Sequence, residues 1–170
     1  MNSLLENLLG VHLNKLGFIN IRDGGSDIMF QLDEKFLNEI GLNELPEDQK
    51  KPFLQHIYDE LELRVGTKLS DGMSDGQLVE FESIIDRKDK IIAIWLEKYA
   101  PNYHNDAGFI QLQKTTGLDV NDPTLRAEYA ATKWLEINRP DYRDVVAKVL
   151  GDLKKEVIAG RDVILGKPTV

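Results

Sequence analysis

The chain contains no cysteine, which excludes disulfide bridges, thiol catalysis and cysteine-based zinc or iron–sulfur sites. No stretch approaches the ~18 consecutive apolar residues of a membrane helix. The metalloprotease motif HExxH, the dinucleotide motif GxGxxG, the hydrolase motif GxSxG and a Gly-Lys-Ser/Thr phosphate loop are all missing. The sequence therefore gives no positive support for enzyme activity, and we expect neither a cofactor nor a metal.

Positive charge is also in short supply, because 21 Lys and Arg face 29 Asp and Glu, for a net charge of −8. Phosphate neutralisation by Lys and Arg supplies most non-specific nucleic-acid affinity, so we expect no nucleic-acid partner. The first residues lack the basic region of a secretory signal. Together with the missing cysteines, this predicts an acidic cytoplasmic protein that does not bind membranes.

What the chain does have is apolar residues at helical spacing over most of its 170 residues. The pattern predicts an all-α protein, an irregular bundle of about seven or eight helices, the first over about residues 4–16. A short β-hairpin near residues 18–32 is one alternative, because apolar runs flank a Gly-rich turn there. We divide the chain into an N-terminal segment (1–45), a main helical domain (46–160) and a tail (161–170).

Capping residues mark several helix starts. Ser74 and Gln77 form a capping box, and Asp33 and Asp89 stand where an N-cap would accept a backbone N–H. Asp122 precedes Pro123, which suits the first position of a helix.

Three prolines and a glycine shape the longer helices. A long helix should begin at Pro46, and Pro52 should bend its first turns because proline lacks the N–H. The last helix should begin at Pro140 and end its regular part at Gly160.

One short pattern occurs twice. Trp-Leu-Glu at 95–97 with Pro-Asn-Tyr at 101–103 matches Trp-Leu-Glu at 134–136 with Pro-Asp-Tyr at 140–142, at identical internal spacing. Two copies indicate a repeated structural element, a helix-turn-helix corner in which Trp and Leu anchor one helix end. The alternative is a pair of equivalent aromatic ligand clamps.

Residues 45–103 carry a longer pattern: LPE, FLxHIYxELExRVG, MSDxQLxEFE, WLE and PNY. The pattern resembles an uncharacterised bacterial domain-of-unknown-function family of small helical proteins, over roughly the middle third of the chain. The resemblance implies a helical fold and brings no activity, catalytic residue or cofactor with it.

The candidate interaction surface consists of aromatic residues at the two corners, since such side chains are enriched in interface hot spots. These are Trp95, Tyr99, Tyr103, Trp134 and Tyr142.

A weaker polar cluster is formed by His56, Asp59 and Glu60, which share one helix face. Such a face can hold a metal or tune an imidazole, but it is more typical of boundary residues bonded within their own helix.

Three functions remain open. The leading hypothesis is a non-enzymatic module that binds a protein partner or itself. The first alternative is an acidic regulator or inhibitor of a basic, nucleic-acid-binding partner, through the acids at 59, 60, 62, 80 and 82. The second is a ligand-binding or enzymatic bundle, which requires His56, Trp95 and Trp134 to converge on one pocket.

Overall fold

The computed structural model describes residues 19–20 and 30–166, and this part of the chain is helical apart from one short strand pairing. Its seven α-helices are α1 (Glu34–Glu39), α2 (Glu47–Ser70), α3 (Asp75–Ile85), α4 (Asp89–Tyr99), α5 (Ala107–Thr116), α6 (Pro123–Asn138) and α7 (Tyr142–Ile164). A 3-10 helix, Tyr103–Asn105, joins α4 to α5. The predicted all-helical class is confirmed, and the helix predicted over 4–16 lies outside the described residues.

The β-hairpin expected near residues 18–32 is not seen. Ile19–Asn20 pairs with Phe30–Gln31 in parallel, whereas the two arms of a hairpin run antiparallel. The apolar runs indicated short strands but carried no information about strand direction. The Gly-rich turn at 23–27 lies outside the described residues.

Side-chain caps begin several helices where the sequence predicted them. The Asp33 carboxylate accepts the first backbone N–H groups of α1 at 2.9 and 3.2 Å. Ser74 and Gln77 form the complete capping box at the start of α3. Asp122 accepts the Thr124 N–H at 2.7 Å before α6. These bonds satisfy donors that each helix would otherwise leave without a partner.

The sequence predicted that Asp89 caps α4, but in the structure it does not. It is the first residue of the helix, Lys88 occupies the cap position, and neither side chain caps the helix end. The Asp89 carboxylate instead lies 3.2 Å from the Arg126 guanidinium of α6. Competition from an ion pair between helices therefore explains the wrong prediction.

The two longest helices run through residues that often interrupt helices. Pro52 lies in the second turn of α2, and the helix continues through it to Ser70. α7 passes Gly160, so the predicted end there is wrong; it continues to Ile164, with Gly166 just beyond. Gly166 has a φ of 65°, the left-handed geometry common after helix ends. No helix in the described part of the chain combines the length and apolar character needed to span a bilayer.

The core is continuous through the described residues and has α6 at its centre. Helices α3, α4 and α5 all pack against α6, and α2 packs along α7. Trp134 of α6 is fully buried, and its ring lies 4.5 Å from that of Phe81 on α3. Leu37 and Leu42, from the segment around α1, belong to the same core.

Arg139 joins the α6–α7 connection to the end of α2. Its Nη1 donates to the main-chain carbonyls of Lys68, Leu69 and Asp71. Its Nε and Nη2 donate to the Asp141 carboxylate at 3.0 and 2.9 Å. The last carbonyls of a helix lack intrahelical partners, and a cation beside them also interacts favourably with the helix dipole. The guanidinium therefore acts as a C-cap supplied from outside the helix.

We predict that Arg139→Lys lowers the free energy of unfolding by about 2 kcal/mol, since an ammonium cannot reproduce the fork of donors that reaches both carbonyls and carboxylate. Urea denaturation measures the change. Lys148→Ala, at an exposed position of α7, is the control and should change stability by less than about 0.5 kcal/mol. Equal losses in the two variants would contradict the assigned role.

Candidate functional site

The two repeated corners have similar backbone geometry where the first helix of each ends. In the first corner, residues 95–103, Ala100 ends α4 with φ −145° and ψ 57°. In the second corner, residues 134–142, Arg139 ends α6 with φ −137° and ψ 66°. The N–H of Tyr103 donates to the Ala100 carbonyl at 3.0 Å, and that of Tyr142 to the Arg139 carbonyl at 2.9 Å. The shared sequence pattern therefore corresponds to a shared turn.

The corners differ in whether the indole N–H of the tryptophan has a hydrogen-bond partner. The Trp134 indole N–H donates to a Glu80 carboxylate oxygen on α3 at 2.7 Å. The Trp95 indole packs against the Tyr99 ring at 5.1 Å, and its buried N–H has no hydrogen-bond partner. The first corner thus retains an unpaired donor that the second corner has paired inside the fold.

A pocket of about 360 Å³ lies beside the first corner. Its wall combines the corner itself with the 3-10 helix, the cap of α5 and one face of α6. The lining residues are Tyr99, Ala100, Pro101, Asn102, Tyr103, Asn105, Asp106, Tyr129 and Lys133. The volume falls at the small end of the range typical of ligand sites.

Aromatic rings pack against one another beside this pocket. The Tyr103 ring stacks on Tyr129 at 5.8 Å and meets Phe109 edge-on at 5.0 Å. Phe109 also meets Tyr129 edge-on at 5.4 Å. Edge-to-face and offset rings at these separations attract one another, so Tyr103 and Tyr129 are held in fixed positions. Tyr99 remains 42% exposed at the rim.

The charges of the pocket neutralise one another. The Lys133 ammonium lies 3.4 Å from the Asp106 carboxylate and 3.1 Å from that of Glu136. Asp106 also accepts the Gly108 N–H at 2.7 Å as the cap of α5. Burial alone raises the pKa of Asp106, but the Gly108 N–H and Lys133 outweigh it, so that pKa is lowered. Asp106 therefore stays ionised and already has partners.

Tyr129 is the unusual polar group of the pocket. Its side chain is 4% exposed, and its hydroxyl faces the Asp106 carboxylate. Burial, and then the charge of Asp106 and a hydrogen bond to it, raise the pKa of Tyr129 to about 12. At neutral pH the group is therefore a protonated hydroxyl with a carboxylate acceptor beside it.

The family comparison covers this whole region. Residues 36–157 match the model of a family described as a protein of unknown function, DUF5663. The chain belongs to this family. A search of curated proteins and a search of solved structures each return no match. The pocket and both corners lie inside the DUF5663 match, and so do α2 to α6.

The five residues of the predicted interaction surface do not lie together in the DUF5663 fold. It places Trp95, Trp134 and Tyr142 in the core, each less than 5% exposed, where they cannot present their rings to a partner. Only Tyr99 and Tyr103 border the pocket. For Trp134 the reason is the central position of α6, since a helix covered by three others buries a wide face.

Two residues of the predicted polar cluster on α2 bond within their own helix. His56 and Asp59 are exposed, and Asp59 accepts a hydrogen bond from Gln55 at 2.8 Å. Glu60 pairs with Arg64 at 3.1 Å, one turn along the same helix. Within residues 30–166 no three acidic or histidine side chains are grouped as a metal would require. His56 also lies outside the pocket, as do Trp95 and Trp134.

Sequence reasoning missed the polar half of the pocket: Asn105, Asp106, Tyr129 and Lys133. Part of the signal was present, because Tyr129 and Lys133 are four residues apart and so share one face of α6. Asp106 ends a short polar stretch, residues 102–106, between two helices. Nothing in the local sequence indicates that this stretch folds back over that face.

Glu62 of α2 is a second buried polar group of the DUF5663 domain, away from the pocket. One of its carboxylate oxygens, Oε1, is buried without a partner. Burial raises the pKa of Glu62 to about 7; a Tyr58 hydrogen bond opposes this and the charge of Asp59 adds to it. Its ordinary value is 4.5. The folded protein therefore binds a proton that the unfolded chain releases between these two values.

We predict that stability falls as pH rises from about 4.5 to 7, because over this range the unfolded chain loses the Glu62 proton first. Glu62→Gln should remove this component and raise the free energy of unfolding at pH 8 by about 1 to 3 kcal/mol. Urea denaturation at pH 5 and pH 8 provides the test. Glu97→Gln, at an exposed position of α4, is the control, and a wild-type pH dependence in Glu62→Gln would refute the prediction.

We also predict that Tyr129→Phe lowers the free energy of unfolding by about 1 kcal/mol. The variant keeps the ring contacts and removes a buried hydroxyl that interacts with the Asp106 carboxylate. Thermal and urea unfolding measure the effect. Tyr99→Phe, at the exposed rim, is the matched control and should change stability by less than about 0.5 kcal/mol. Unchanged stability in Tyr129→Phe would contradict a structural role of the Asp106 contact.

Proposed function

We propose that the DUF5663 domain is a non-enzymatic protein-interaction module and that the first-corner pocket is its recognition site. The observation that carries the proposal is the pair Tyr99 and Tyr103, which line a pocket of about 360 Å³, whereas Tyr142 of the second corner lies in the core. Tyrosine at such a site is typical of interface hot spots.

The rim of the pocket supports recognition of a protein. Tyr99 is a large, half-exposed ring held in place by the buried Trp95. A tyrosine fixed in this way contributes contact area at little cost in conformational entropy, and tyrosine is enriched among hot-spot residues. We expect the module to act in the cytoplasm, in keeping with its cysteine-free composition.

Neither alternative function gains a comparable observation. Of the acids that an acidic regulator would present, Glu62 is buried, Glu80 binds the Trp134 indole and Glu60 pairs with Arg64. A ligand-binding or enzymatic bundle requires His56, Trp95 and Trp134 in one pocket, and none of them lines the one beside the first corner.

Site-specific photocrosslinking tests the proposal in the full chain. A benzophenone side chain placed at position 99 should give a discrete protein adduct in the host cell, because Tyr99 lies at the rim of the site. The same group at position 158 is the control, since Ile158 is similarly exposed on α7.

The adduct should disappear when Tyr103→Ala is added, and the protein identified by mass spectrometry should then bind the purified chain. Adducts of equal yield at positions 99 and 158, or an adduct that is indifferent to Tyr103→Ala, would refute the assignment of the site.

A further inference from the structure

We propose that the outward side of α4 is a self-association surface, on which two copies of the chain pair with their α4 helices antiparallel. This surface, the α4 face, consists of Lys90, Ile91, Ala93, Ile94 and Glu97, all of them exposed. These five residues do not line the pocket, so the inference goes beyond the proposed function and does not rest on it.

The α4 face exposes two large apolar side chains one turn apart. Ile94 is 65% exposed and Ile91 is 39% exposed. The opposite side of the helix supplies the buried residues Ile92, Trp95 and Leu96, and α4 packs on α3 and α6. A helix with its core on one side normally carries polar residues on the other side. Adjacent exposed apolar side chains between charged residues are typical of an interaction site.

The two charged residues of the α4 face are not used inside the chain. The side chains of Lys90 and Glu97 have no hydrogen bond or ion pair with another residue that the structure describes. Other charges of the same helix are engaged, because Asp89 pairs with Arg126 at 3.2 Å and Lys98 lies 4.7 Å from the centre of the Tyr99 ring. Lys90 and Glu97 therefore remain free to meet charges from outside.

Both free charges also lie at the end of α4 that suits them least. Lys90 is in the first turn and Glu97 is in the last turn. The helix dipole is positive at the N-terminus and negative at the C-terminus, so each charge lies beside a partial charge of its own sign. An antiparallel second copy corrects this mismatch, because Lys90 then faces the C-terminal turn of the other helix and Glu97 faces its N-terminal turn.

The spacing of the α4 face is complementary to itself. Lys90, Ile94 and Glu97 recur at i, i+4 and i+7 and so form one stripe along the helix. With a twofold axis between residues 93 and 94, Lys90 lies opposite Glu97 of the partner subunit, and the reverse pair forms by symmetry. Ile94 meets Ile94 of the partner subunit, and the small Ala93 lets the helices approach closely. A closed dimer requires such a reciprocal pattern.

The same charges exclude the parallel arrangement. Parallel helices in register would place Lys90 against Lys90 of the partner subunit and Glu97 against Glu97 of the partner subunit, and like charges across a contact are unfavourable. The antiparallel contact involves a single helix of 11 residues, so it is small and the association is weak. We expect a dissociation constant on the order of 10 to 100 μM.

Sedimentation equilibrium of the purified full chain, from about 5 μM to about 1 mM, tests the inference. The chain should change from monomer to dimer over this range. Ile94→Glu should weaken the dimer at least about tenfold, because it places a charge against Ile94 of the apolar centre. Ile158→Glu, at an exposed position of α7, is the matched control and should change the affinity less than about twofold.

Charge reversal tests the antiparallel register. Lys90→Glu and Glu97→Lys should each weaken self-association about fivefold or more, because each variant creates two pairs of like charge across the contact. An equimolar mixture of the two variants should form a heterodimer, and both substitutions in one chain should restore the wild-type affinity to within about twofold. Lys148→Glu, on α7, makes the same change in net charge as Lys90→Glu and is its control.

Three results would overturn the inference: a monomer at about 1 mM, a dimer that is indifferent to Ile94→Glu, or no heterodimer in the mixture. Circular dichroism verifies that each variant is folded. Tyr103→Ala, which changes the pocket, should leave the dimer unaffected. Crosslinking at position 99 with its dependence on Tyr103 therefore tests the proposed function separately, and either idea can fail while the other stands.

Discussion

The hydrogen bond from the Trp134 indole N–H to Glu80 organises the centre of the fold. Trp134 is fully buried on the helix that three others surround. Its N–H reaches Glu80 of α3 at 2.7 Å while its ring packs on Phe81 of the same helix. Two neighbouring residues of α3 thus fix both the depth and the rotation of α6. The position of the pocket face of α6, with Tyr129 and Lys133, follows from that rotation.

The repeated turn shows how one local sequence can serve two purposes. Both corners end a helix with similar backbone angles, and in both the tyrosine N–H closes the turn. After the second corner the chain enters α7 at once, and Arg139 binds that junction to the end of α2. After the first corner a 3-10 helix and the Asp106 cap come before α5. This longer connection between the two helices leaves room for the pocket.

Sequence reasoning succeeded where the determinants are local. The capping box at Ser74 and the caps at Asp33 and Asp122 depend on residues two or three positions apart. It failed at Asp89, where an arginine 37 positions away competes for the carboxylate. It also failed for the strand direction near residues 18–32, because alternation of apolar residues does not encode direction.

The candidate site was only half predictable for the same reason. Tyr99 and Tyr103 belong to the repeated corner, so the sequence pattern predicted them as part of the interaction surface. Their partners arrive from the cap of α5 and from α6, and this convergence is a property of helix packing. The burial of Trp95, Trp134 and Tyr142 has the same origin, since exposure depends on what covers a helix face.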